Sequence, residues 1–94
     1  MSQDGIITVV VTIDAKSGKP IGEPEIVTRG VVLAEGVDML DEARQRVAKA
    51  VAKTGKEGVT DFSVVQRRIR ETLSQFVWER AKRRPMIIPV VMEV

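Results

Sequence analysis

The stretch from Thr60 to Val94 narrows the choice of fold more than any other part of the chain, because a long amphipathic segment runs through Pro85 straight into an apolar strand. An advance of about 100° per residue gathers Phe62, Val65, Ile69, Leu73, Phe76 and Val77 on roughly one third of a helix, the width of a core-facing stripe. Thr60 is suited to capping this helix, Asp61 falls in its first turn, where negative charge meets the positive end of the helix dipole, and Pro85 stops it. The following run, Met86 to Val94, is rich in the β-branched residues that suit a pleated surface. A helix delivered so directly into a strand lays its stripe on the sheet that the strand joins.

The start of the chain supplies the rest of that sheet. Ile6–Ile13 reads as a strand with Ile7, Val9, Val11 and Ile13 on a wholly apolar face and Ile6, Thr8, Val10 and Thr12 on a mixed one, which favours a central position. Asp14–Pro20 is a turn: Asp14 can accept from its own backbone, Gly18 tolerates positive φ, and Pro20 ends regular pairing. A hairpin is expected, with the returning strand over Glu25–Leu33, where Gly30 either kinks the strand or admits another backbone. The first helix is expected over Asp38–Lys53. There Leu40, Ala43, Val47, Ala50 and Val51 repeat at three- and four-residue intervals, acids open the helix, and Gly55 follows its end in the position of a left-handed cap. The short link from Thr54 to Val59 predicts antiparallel helices. The expected fold is α+β, an α/β two-layer sandwich of order β-β-α-α-β: a three-stranded sheet covered on one face by two α-helices. Pro89 makes the last strand an edge with that position turned outward. A single domain over residues 4–94 is expected, with Met1, Ser2 and Gln3 as its outer margin.

The missing residue types restrict function. With no His, Cys or Tyr among its 94 residues, the chain has no imidazole base, thiol nucleophile or phenol. Transition-metal sites draw mostly on His and Cys, and the carboxylates here are scattered or sit beside basic residues. No catalytic, cofactor-binding or metal-ligating residue is assigned. No Gly-rich loop precedes a helix, which argues against nucleotide binding. No apolar run approaches the length of a membrane span and no signal peptide is visible, so a soluble, cytoplasmic domain without a membrane partner is expected.

Two surface features remain once the core is assigned. Arg80, Lys82, Arg83 and Arg84 form a basic cluster, preceded on the same helix by Arg67, Arg68 and Arg70. Such a cluster attracts a phosphate backbone, making these four residues candidates for sequence-independent RNA contact. The same cations also complement a helix C-terminus, the net charge is only +2, and Trp78 is the one aromatic interleaved for base stacking. Trp78 itself lies nearly opposite Ile69 on the helical wheel, close to Val64 and Arg67. Val64 and Trp78 are therefore candidates for a contact surface, since Trp is enriched at interfaces; the alternative is that a terminus folds over them.

The run Glu79-Arg-Ala-Lys-Arg-Arg-Pro-Met-Ile-Ile-Pro-Val-Val-Met-Glu-Val94, with Val9–Asp14, Pro24–Gly30 and Gly58–Asp61, closely resembles the C-terminal domain of bacterial ribonuclease J. Arg83-Arg84-Pro85-Met86 is the most specific part, and Thr28-Arg29-Gly30 the next. The resemblance implies a module of a larger enzyme, in which a metallo-β-lactamase domain with an inserted β-CASP domain performs metal-dependent 5′-to-3′ exonucleolytic and endonucleolytic RNA decay and maturation. The zinc belongs, in that family, to the catalytic domain, whose His- and Asp-rich motif has no counterpart in a chain without His. The module is associated in the family with homo-oligomerisation and with full activity of the parent. The implied partners are other copies of the chain and the catalytic domains.

Overall fold

The computed structural model describes residues 5–30, 37–57 and 61–94. The elements follow the expected order: β1 (Ile6–Ile13), β2 (Glu25–Arg29), α1 (Val37–Lys56), α2 (Phe62–Ala81) and β3 (Met86–Glu93). They form an α+β fold with a mixed three-stranded sheet. β1 is central, antiparallel to β2 with Ile6 opposite Arg29, and parallel to β3 with Ile6 opposite Met86. β3 is an edge strand, and Pro89 lies in it opposite Val9. An edge tolerates a residue without a backbone donor because one side of the strand has no ladder to complete.

The pleat sorts the side chains into two layers. Ile7, Val9, Val11 and Ile13 of β1, Ile26 of β2 and Ile87 of β3 are buried against the helices, together with Met39, Ala43, Val47 and Val51 of α1 and Val65, Ile69, Leu73, Phe76 and Val77 of α2. Met39 enters the core in place of Leu40, which with Ala50 is only partly buried. Phe62 departs from the predicted stripe: it is 38 % exposed. As the first residue of α2, it shares the stripe's direction but sits at the helix's end.

The turns and caps use the residues expected of them, with two corrections. Asp14 Oδ1 accepts from the backbone N–H groups of Lys16 (2.7 Å) and Ser17 (3.3 Å), and Gly18 has φ +72°. Gly55, expected as a left-handed cap, lies inside α1. A Cβ there would stand 2.5 Å from the Gly18 carbonyl oxygen, so glycine is what lets the helix rest on the turn. Asp61 is the N-cap of α2 rather than a first-turn acid, and Lys82 ends that helix in the left-handed conformation, its N–H donating to the Trp78 carbonyl. The helix stops there because Pro85 biases Arg84 away from the α region. The proposed cap Thr60 and the extension of β2 to Leu33 lie outside the described residues.

Cross-helix contacts fix the helix pair as antiparallel. Arg80, near the end of α2, pairs with Glu42 near the start of α1. At the opposite end Arg68 pairs with Glu57 (2.7 Å) and donates to Thr54 Oγ1 (3.3 Å). Thr54 is buried, and its hydroxyl donates to the Ala50 carbonyl (2.8 Å), so the one buried polar side chain among the described residues is satisfied.

Asp61 gives a pH-dependent prediction. Its Oδ1 accepts from the Ser63 hydroxyl (2.8 Å) and the Ser63 backbone N–H (2.9 Å), and these bonds, the hydroxyl's first, hold the carboxyl below its ordinary range. A depressed folded-state pKa contributes stability that is present above the unfolded value and lost as pH falls through the folded one. Asp61→Ala is expected to lower Tm at neutral pH, with the gap to wild type closing as the pH falls below the ordinary carboxylate range. Thermal melts of both proteins across an acid series check this; a gap independent of pH contradicts it.

Candidate interaction surfaces

With both helices on one face, no described element covers the other face of the sheet. Residues opposite one another in the registers form rows across it: Arg29–Ile6–Met86, Val27–Thr8–Ile88 and Glu25–Val10–Val90, with Thr12–Met92 beyond. Val27 is 58 % exposed and Met92 52 %, while Met86, Ile88 and Val90 are exposed to a lesser degree. The β1 residues between them are half-buried by their neighbours. Charge enters these rows only through Glu25 and Arg29, at opposite ends of β2. Monomeric soluble proteins seldom present so continuous an apolar face to water.

Trp78 is exposed, as the wheel required, but its ring is not bare. The Arg84 guanidinium lies 4.5 Å from the ring centroid and the Lys82 ammonium 5.2 Å. Val64 is half-buried and 14 positions away, about 21 Å along the helix at 1.5 Å per residue. The two share a direction without forming one patch.

The basic cluster is likewise drawn into internal contacts. Arg80 is held by Glu42 and also lies 5.3 Å from the Phe76 ring centroid, which Arg46 approaches to 5.0 Å. Lys82 and Arg84 stack on Trp78, and Arg83 also has a partner. Arg67 faces Glu71 at 4.0 Å. These pairings are exposed and individually weak, yet each competes with an external anion.

No described group of three or more carboxylates gathers where it could hold a metal ion, and the chain has no His or Cys. The donor set does not fit the zinc centre that the family resemblance assigns to the parent enzyme. Among the described residues no helix is long and apolar enough to cross a membrane.

The β-β-α-α-β order, with its mixed three-stranded sheet and two helices, defines a small α+β domain. The family model for the ribonuclease J C-terminal domain matches residues 1–94, and the chain belongs to that family. It is 38 % identical over its full length to Ribonuclease J2 of Bacillus subtilis, and equally so to proteins named Ribonuclease J 2 from Staphylococcus epidermidis and Staphylococcus aureus. In each case the chain covers 17 % of the relative's length.

The sequence marked Val64 and Trp78 as contact candidates but did not single out Val27, Met86, Ile88, Val90 and Met92. The signal was present: β3 is apolar at both parities of the pleat, although helices cover only one face.

Proposed function

We propose that this domain is a non-catalytic assembly module of a ribonuclease J, joining copies of the enzyme and steadying its catalytic domains through the open sheet face. The observation that carries the reading is the set of exposed residues Val27, Met86, Ile88, Val90 and Met92 on a face that no described helix covers. In this reading the zinc-dependent exonucleolytic and endonucleolytic work in cytoplasmic RNA decay belongs to parts of the parent enzyme outside this chain. The module acts by mass action, keeping active sites together. Stable interfaces usually bury more than about 1,000 Å² in total, which Trp78 alone does not supply and a three-stranded sheet can approach. RNA contact through Arg80, Lys82, Arg83 and Arg84 is the less favoured reading, because internal partners already occupy that cluster.

Sedimentation velocity on the 94-residue chain tests the proposal. A dimer that dissociates on dilution is expected, with Ile88→Lys weakening it at least tenfold and Trp78→Ala changing it less. Strict monomer at high micromolar concentration overturns the reading. Loss of association in Trp78→Ala but not in Ile88→Lys would move the contact to α2.

A further inference from the structure

The two charges on the uncovered sheet face stand at either end of one strand. Glu25 and Arg29 close the ends of β2 with Val27 between them, and all three are exposed. At about 3.3 Å per residue the charges are roughly 13 Å apart along the strand. Neither meets an opposite charge within 4.0 Å among the described residues. A partner that covers this face takes both out of water, and an ion removed from water without a counter-ion is costly. The occupant of the face therefore has to bring a positive group to Glu25 and a negative group to Arg29.

We infer that Glu25 and Arg29 select a second copy of this chain, packed face to face with β2 over β2 in opposite directions. Let a two-fold axis lie between the sheets, perpendicular to the strands and over the row Val27–Thr8–Ile88. That row then meets its own copy and the two flanking rows exchange, so that Arg29 stands opposite Glu25 of the second copy, Ile6 opposite Val10 and Met86 opposite Val90. Stacked sheets lie about 10 Å apart, a gap that a Glu and an Arg side chain together span. The usual angle of about 30° between facing sheets displaces charges 6–7 Å from the axis by only about 3.5 Å. A two-fold axis along the strands sets β2 over β3 of the other copy instead, and leaves the charges against Met86 and Val90. Joining through the β3 edge is obstructed. Met86 N–H donates to the Gly5 carbonyl and Val94 N–H to the Ile13 carbonyl, so even-numbered residues of β3 turn their donors toward β1, and Pro89 interrupts the outward row. The inference rests on the assembly reading and adds which partner fits the face and in which register.

Charge exchange followed by sedimentation velocity tests it on the 94-residue chain. Glu25→Arg sets two like-charge pairs across the axis, and so does Arg29→Glu, so each variant is expected to self-associate at least tenfold more weakly than wild type. Mixing the two variants at equal concentration restores both opposite pairs, and association at least tenfold tighter than that of either alone is expected. The chain carrying Glu25→Arg and Arg29→Glu together is expected to return close to wild type. Both positions are exposed, and circular dichroism verifies that the variants are folded. A wild-type dimer with no gain on mixing overturns the register and leaves the assembly reading standing, whereas strict monomer in the wild type overturns both. Paired β2 edges would also bring Glu25 beside Arg29, so Ile88→Lys is added to both mixed chains. Face-to-face packing is expected to lose at least tenfold in affinity; a mixed dimer unchanged by Ile88→Lys places the contact at the β2 edge and overturns the inference.

Discussion

Phe76→Ala is expected to lower Tm by roughly 15–30 °C and to leave a substantial unfolded fraction at 37 °C. Phe76 is the largest fully buried side chain among the described residues, on the stripe of α2 that meets the sheet. Truncating a buried Phe to Ala removes its transfer free energy and leaves a cavity, together about 3–5 kcal/mol. Small domains are stable by about 5–15 kcal/mol in all, and each 1 kcal/mol moves Tm by about 4–8 °C in a domain of this size. The ring also carries the guanidinium groups of Arg46 and Arg80 on its faces, so two favourable cation contacts disappear with it. Thermal unfolding followed by circular dichroism checks this; a loss below about 5 °C contradicts the packing.

The other large effect is expected at a position with no side chain. Gly5→Ala should cost about 3 kcal/mol, because two penalties coincide there. Gly5 has φ +93°, a backbone conformation that costs a residue with a Cβ about 1–3 kcal/mol. A Cβ would also stand 2.6 Å from the Arg29 carbonyl oxygen and from the carbonyl carbon and oxygen of Gly30. All three are backbone atoms at the end of β2, so relief means opening the pairing of Ile6 with Arg29. The Gly5 carbonyl meanwhile accepts from Met86 N–H (2.9 Å), so the displacement reaches β3. The entropy that alanine removes from the unfolded chain offsets only about 0.4–1 kcal/mol. Gly22→Ala is the comparison: φ is +71° but nothing lies within 4 Å of the added Cβ, and about 1 kcal/mol is expected. Urea unfolding of both variants checks the difference, and equal losses would refute the role given to the close approach.

The element order and both layers were legible because each rests on local pattern. Period-two alternation marked Ile6–Ile13 to the residue, and the 3.6 period marked Val65, Ile69, Leu73, Phe76 and Val77 as core. The misses share a cause: periodicity gives a direction around an axis and no distance along it. Phe62 points with the stripe yet sits at the end of α2, and Val64 and Trp78 share a direction while lying three to four turns apart. Gly55 was misread because its role is a contact with Gly18, far away in sequence. The Arg80–Arg84 cluster, conspicuous as a run of letters, proved to be engaged with Glu42 and Trp78, which no reading along the chain reveals.

The parallel ladder from Ile6–Met86 to Ile13–Glu93 joins partners about eighty residues apart. Ile7, Val9, Val11 and Ile13 are therefore made well before their neighbours on that side, which follow about eighty residues later. Such non-local closure is slow relative to helix formation. During synthesis the nascent chain has helices ready before its sheet can close, and a ribosome that stalls before Met86 would leave β1 with a bare hydrogen-bonding edge that invites pairing with another unfinished chain.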